Sequence, residues 1–383
     1  MVQDSSLFGW GDFGSLVGYG DRWRKYRRRM NPWLTKQAVA LHHESQEHAT
    51  RKLLRRLLDS GKDVRSSQEV EAELFLSVSA TLLRSIYGYE AENANDRFLI
   101  GARSIFSYLT KSLLSSNYLV NSLPALKYVP EWFPGASWKR DAIKWKMEKD
   151  ALIQDMYNVG HALQLGLTEQ EADDYVAQIA ITMFAGGADT VYGQYIAHVS
   201  HGNGVVPGGE EEGPRGNRLP KIEDRDQLGY VDRIVQETLR WVPVTPMAVP
   251  HACFQDDTYN GYHIPKGAIV IGNAWAITRD ETVYANPEAF DPDRYLDPAT
   301  PPSPVFGWGR RRCPGVHFAQ ASLFIAITSI LMAFDIEAIK DENGEDLLPS
   351  RKMINALVLI PEPFVFKLTP RSESHEELMR QSL

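Results

Sequence analysis

Apolar positions recur mostly at helical spacing as far as Pro243, and beyond it the pattern becomes mixed. Asp21 to His48 and Ala49 to Leu58 carry many charges around an apolar stripe, and Glu69 to Tyr87 continues it through Leu74, Val78, Leu82 and Leu83. These stretches predict surface helices with one face on a core. Pro130-Glu131-Trp132-Phe133-Pro134-Gly135 breaks the series, and Ser137 to Asp155 resumes it. Thr168 to Ala188 reads as a more apolar helix: Thr168 can cap it, Glu171 follows as in a capping box, and Val176, Ile179, Ile181 and Phe184 fill it. Val316 to about Phe334 predicts another, through Val316, Leu323, Ile327 and Ile330. Thr258 to Asn273 alternates through Tyr262, Ile264, Ile269 and Ile271 and predicts short strands joined by Pro265-Lys266-Gly267; Met353 to Leu368 is a second strand region. The class expected is mainly α with a small β region (α+β). One domain is expected over residues 1–383, with glycine-rich 201–216 as a flexible linker.

Composition narrows the function classes. The 383 residues, 43% hydrophobic and 10% aromatic, are enough for a large globular core. A net charge of -8 argues against nucleic acid as a partner. Two cysteines, Cys253 and Cys313, do not make a disulfide framework and fit a reducing, cytosol-facing compartment. Cys253 reads as inert packing. The longest apolar stretch, Phe318 to Phe334, is interrupted by Gln320 and Ser322, so neither a membrane span nor an N-terminal signal peptide is expected.

Candidate chemistry concentrates at Cys313. It lies in Phe306-Gly307-Trp308-Gly309-Arg310-Arg311-Arg312-Cys313-Pro314-Gly315, where three arginines surround one sulfur just ahead of an apolar helix. A helix N-terminus and nearby positive charge favour thiolate over thiol. Gly309 and Gly315 permit backbone conformations and close approaches suited to a flat macrocycle. A lone cysteine is usually structural, but the spacing here matches F-x-x-G-x-R-x-C-x-G at Phe306, Gly309, Arg311, Cys313 and Gly315. The loop thus resembles the haem-ligand signature of the cytochrome P-450 family. Ala185-Gly186-Gly187-Ala188-Asp189-Thr190, Glu237-Thr238-Leu239-Arg240 and Pro292-Asp293-Arg294-Tyr295 resemble, in family order, its oxygen-activation helix, its E-x-x-R helix and the arginine segment that follows. Trp23-Arg24-Lys25-Tyr26-Arg27 resembles its W-x-x-x-R helix.

That resemblance implies a cytochrome P-450-like fold, incomplete here, with its N-terminal anchor and first sheet strands lacking and its helices shortened around 201–216. It implies haem (iron protoporphyrin IX) with Cys313 as the iron ligand, and Trp23, Arg27, His251 and Arg311 about the propionates. Phe306, Gly309 and Gly315 would shape the cofactor loop. Many members have arginine where Ala252 stands. Asp189 and Thr190 would relay protons to dioxygen, and Glu237, Arg240 and Arg294 would form a buried structural triad. Electrons would come from NADPH through a cytochrome reductase, with Arg310 and Arg312 as a docking edge; no nucleotide-binding glycine loop of the right context is present. The pocket would run along Phe184 to Thr190, Val244 to Val249 and Asn355 to Leu359, all largely apolar, for a lipophilic substrate. Pro130 to Ala136, Ile222 to Asp232 and Gly272 to Asp280 resemble fungal microsomal members, which lie on the endoplasmic-reticulum membrane facing the cytosol, including the branch similar to O-methylsterigmatocystin oxidoreductase; this implies secondary-metabolite hydroxylation.

Other readings remain beside this one. Part of Arg24, Arg27, Arg28 and Arg29 can equally be a solvated basic helix face. A non-catalytic or haem-free remnant would keep the same loop, and a thiolate peroxygenase or isomerase would use the same cysteine without a reductase. His43-Glu44-Ser45-Gln46-Glu47-His48 approaches the zinc-protease H-E-x-x-H pattern, but its second histidine is one residue too far to share a helical face.

Overall fold

The computed structural model describes residues 1–91, 93–114, 117–159, 175–188, 218–350, 352–354 and 358–382. Asp189, Thr190, the 201–216 stretch, the Thr168/Glu171 cap and Asn355 lie outside them. The first half is helical: α1 (Asp21–Leu34), α2 (Lys36–Ala40), α3 (His43–Asp59), α4 (Ser67–Tyr87), α5 (Arg97–Leu113), α6 (Ser137–Val159) and α7 (Tyr175–Ala188). Strand β1 (Val64–Ser66) lies between α3 and α4. Helix α8 (Gly229–Trp241) follows, then four short strands, β2 (His251–Ala252), β3 (Asp257–Tyr259), β4 (Tyr262–Ile264) and β5 (Ile269–Val270), and the single turn α9 (Ala274–Ile277). Helix α10 (Val316–Ala333) leads into β6 (Phe334–Glu337), β7 (Ile339–Lys340), β8 (Asp346–Leu347), β9 (Met353–Ile354), β10 (Ile360–Pro361), β11 (Val365–Pro370) and α11 (Glu373–Gln381).

Local chemistry explains several boundaries. The Ser66 hydroxyl accepts from the Glu69 amide at 3.2 Å while the Glu69 carboxylate accepts from the Ser66 amide at 3.1 Å, a closed capping box at the start of α4. Gly88 ends that helix at φ 66°, a left-handed position glycine takes without strain. Asp96 caps α5 through the Phe98 amide at 2.8 Å. The single helix expected from Asp21 to His48 is instead three elements. Thr35 is extended and accepts from the Ala38 amide at 3.2 Å, so it ends α1 and caps α2; the chain turns again at Leu41 and His42. A Thr N-cap inside a continuous apolar stripe is a break that periodicity alone does not register.

The core is built around α10. Nearly every side of it is buried, from Val316 through Phe324 and Ile327 to Ala333, so it is apolar all round rather than amphipathic. Among the described residues it is the one helix long and apolar enough to cross a membrane, yet 78% of that span is buried inside the protein. It packs against α3 and α8, and α3 packs on α4. The N-terminal segment seals the same core with Phe8, Trp10, Phe13 and Val17, and the Gly14 amide donates to the Thr182 hydroxyl on α7 at 2.9 Å.

The strands form small antiparallel units. β1, β11 and β6 make a three-stranded sheet in the order β1-β11-β6, while β2 pairs β5, β3 pairs β4, β7 pairs β8 and β9 pairs β10. Pro265-Lys266-Gly267 joins β4 to β5 as expected, but those two strands do not pair: β5 pairs with β2, and the hairpin is β3 to β4, turned at Asn260 and Gly261, both with positive φ. Asn-Gly is the stronger hairpin signal because both central residues of that turn need φ > 0.

Candidate haem-thiolate site

Three sequence-distant segments converge on Cys313. The loop reaches it through two short 3-10 turns, Pro304–Phe306 and Gly309–Arg311, and α10 begins three residues beyond it. The Cys313 amide donates to the Phe306 carbonyl at 2.7 Å, which closes the loop on itself. Gly307 at φ 72° and Gly309 at φ 55° carry the left-handed turns that let it do so. Gly315, by contrast, has an ordinary φ of -82°, so the backbone freedom expected there is not used; a Cβ on it would sit 3.8 Å from the Cys313 sulfur. Gly307 is the position that motif reading passed over, and its signal was the Phe-Gly-Trp-Gly run.

The Cys313 side chain is exposed, with Arg27 and Arg312 among the charges around it. Burial pushes its thiol up, opposed by the Gly315 amide and by the Arg27 and Arg312 guanidiniums. The Gly315 amide at the helix end and the two cations therefore work in the expected direction, against desolvation.

Arg27 is half-buried, and Cys313 is the charge felt most strongly by it after its own desolvation. Arg24 and Arg28 of the same helix are exposed, and Arg24 pairs with Asp21 at 2.7 Å. Arg311 stacks over the Trp23 ring at 4.7 Å and donates to the Val17 carbonyl at 2.9 Å. Burial, and after it the Arg27 charge, lowers the pKa of Arg311, and burial, and after it the Arg311 charge, lowers that of His251. Trp23, Arg27, His251 and Arg311 are thus neighbours, and among the described residues no carboxylate pairs with Arg27 or Arg311. Tyr19, which carried no motif signal, completes the edge: its hydroxyl accepts from Arg310 at 3.3 Å, and its ring lies 5.1 Å from Trp23. Trp308 packs so closely on Gly272 that a Cβ there would lie 2.4 Å from its ring.

Behind the loop, Glu237, Arg240 and Arg294 meet. The Glu237 carboxylate accepts from Arg240 Nε and Nη2 at 2.8 and 2.7 Å and from Arg294 Nε at 3.1 Å, with both α8 side chains fully buried. Arg240 also donates to the carbonyls of Thr278, Pro287 and Ala289, and the Asp291 amide donates to Glu237 at 2.9 Å. A buried charge needs this degree of satisfaction. The Ser303 hydroxyl donates to the Leu239 carbonyl at 3.1 Å and so ties the approach to the cysteine loop onto α8.

Of the apolar stretches, Phe184, Ala185 and Ala188 are buried on α7, and Val244 and Val358 are buried nearer the C-terminus. The Leu359 amide donates to the Val244 carbonyl at 2.8 Å, which joins two of those stretches. Gly186 is exposed with open space above it on an otherwise buried helix, whereas a Cβ on Gly187 would press on Leu82 at 2.7 Å. His43 and His48 form no metal-type cluster with other ligands among the described residues.

A helical protein with an arginine-flanked cysteine loop at the head of a buried helix has the architecture of a haem-thiolate protein. The Cytochrome P-450 family profile matches residues 211–368. A cytochrome P-450 monooxygenase of Armillaria gallica is 32% identical over 100% of this chain and 79% of its own length, and cytochrome P-450 monooxygenase COX2 of Coprinopsis cinerea is 31% identical over 97% and 76%. A zebra fish cytochrome P-450 solved with abiraterone superposes with a TM-score of 0.72 at 21% identity, covering 97% of this chain and 87% of its own, a likeness of fold. The chain belongs to the cytochrome P-450 family. It is a monooxygenase of that family, and the family's cofactor is haem.

Proposed function

We propose that Cys313 is the axial ligand of a haem, and that the enzyme inserts one oxygen atom from O2 into a lipophilic small molecule. The observation that carries this reading is the pairing of an exposed sulfur with two half-buried guanidiniums, Arg27 and Arg311, that have no carboxylate partner among the described residues. A dianionic macrocycle edge supplies what they lack, since a guanidinium bonds a carboxylate bidentately. Trp23 stacks Arg311 in place, and His251 adds a donor beside it. When bound, the haem supplies a thiolate-ligated iron able to activate dioxygen. The protein's own part is to deliver the sulfur at a fixed position, neutralise the propionates and exclude water. Phe306, Gly309 and Gly315 shape the loop, while Glu237, Arg240 and Arg294 hold it from behind. Asp189 and Thr190, outside the described residues, take the proton-relay role.

The partners follow from the same reading. Electrons come from NADPH through a cytochrome reductase that docks by Arg310 and Arg312, whose side chains are exposed beside the cysteine loop. Buried Phe184, Val244 and Val358 favour a lipophilic substrate, and fungal secondary metabolism is the setting proposed for it. A place on the cytosolic face of the endoplasmic reticulum is supported by one apolar surface: Leu119, Leu123, Tyr128, Trp132 and Phe133 are all exposed, Trp132 by 80%.

The test is the carbon monoxide difference spectrum of the dithionite-reduced protein expressed with haem supplied. A red-shifted thiolate Soret band in the wild type and its loss in Cys313→Ala are expected; an unchanged band in the variant rejects Cys313 as ligand. For the relay, Thr190→Ala is expected to consume oxygen without matching product, and unchanged coupling argues against that role.

A further inference from the structure

We infer that the protein holds one structural water between α3, α4 and α10. A small pocket of about 20 Å³ lies there, with the buried side chains of Gln46, Thr50, Ser77, Thr81 and Ser322 on its wall. One water needs about 10–15 Å³ in that measure, so the space admits one molecule and no larger ligand.

The chemistry of the wall selects the occupant. Gln46 is 2% exposed, and its Oε1 has no hydrogen-bond partner among the described residues. Its amide cannot simply be reversed: Nε2 donates to the Phe318 carbonyl at 3.1 Å, a group that only accepts, and to the Ser322 hydroxyl at 2.7 Å. The other hydroxyls have already committed their hydrogens. Thr50 donates to the Gln46 carbonyl at 2.9 Å, Ser77 to the Ala49 carbonyl at 3.1 Å and Thr81 to the Ser77 carbonyl at 2.9 Å. These three hydroxyls and the Gln46 amide carbonyl have only lone pairs left to offer, so an occupant that donates to them is favoured. Water meets that need by donating to Gln46 Oε1 and to one hydroxyl oxygen. A cation would find oxygen but no carboxylate on the wall to offset its desolvation. The water and the Gln46 amide together bond α3 and α4 to the second turn of α10, whose first turn follows Cys313.

The experiment is a high-resolution crystal structure of the haem-loaded protein, with oxygen-17 relaxation dispersion counting long-lived waters in solution. One peak within hydrogen-bonding distance of Gln46 Oε1 and one wall hydroxyl is expected, and Gln46→Met is expected to lower the long-lived count by one. Should that variant fail to fold, Thr50→Val is expected to keep the peak but shorten the water's residence time. An empty cavity in well-ordered density, a peak with short six-fold coordination typical of a metal ion, or a count unchanged by Gln46→Met overturns the inference.

Discussion

At the scale of single residues, the cost of a change here is set by what it leaves behind. Arg240→Ala would strand the Glu237 carboxylate in a fully buried site with Arg294 as its remaining ionic partner among the described residues, so a loss of about 3–5 kcal/mol is expected, read by urea denaturation. An equal loss for Arg24→Ala, whose guanidinium is exposed, would show that burial is not the cause. Gly272→Ala tests the loop from the opposite side. Its new methyl would lie 2.4 Å from Trp308, so the ring and the cysteine loop must shift, and weaker haem retention on gel filtration is the expected result. Unchanged retention would mean that Trp308 moves independently of Cys313. These two sites differ in how readable they were. Glu237 and Arg240 announced themselves by spacing; Gly272 could not, because its constraint comes from a residue 36 positions away.

At the scale of elements, termini are where local sequence decided the structure. Ser66→Ala removes one half of the α4 capping box, and a loss of about 1 kcal/mol in denaturation is expected. Asp224 does comparable work before α8: it accepts from Arg218 at 2.7 and 2.9 Å and from the Lys221 amide at 2.8 Å, and these bonds, Arg218 first, hold its carboxyl below its ordinary value. A carboxyl lowered on folding stabilises fully above its unfolded pKa, about 3.9, and that contribution is lost as pH falls through the folded value. Asp224→Asn is therefore expected to be less stable than wild type at neutral pH and to converge with it on acidification below about pH 4, measured by urea melts across pH. A constant gap down to the lowest pH would point to lost packing instead. The three-way split of the expected Asp21 to His48 helix belongs to the same class of evidence. Thr35 was a legible cap, masked by an apolar stripe that two separate helices happen to continue.

At the scale of the whole molecule, Leu119, Tyr128, Trp132 and Phe133 are large apolar side chains exposed within one short stretch of chain. Replacing Trp132 and Phe133 by serine is expected to weaken co-sedimentation with phospholipid vesicles several-fold while leaving the carbon monoxide spectrum intact; unchanged sedimentation would remove this surface as a membrane contact. The sequence by itself determined the helical class, the apolar helix of Val316 to Ala333 and the strand regions, because periodicity and composition are local properties. It also named Trp23, Arg27, His251 and Arg311 without being able to place them together. Only the tertiary structure decided that Arg27, and not Arg24 or Arg28, turns toward Cys313, and that burial opposes the positive surroundings of its sulfur. The physical reason is that desolvation and charge proximity depend on atoms brought from hundreds of positions away, and no window along the chain contains them.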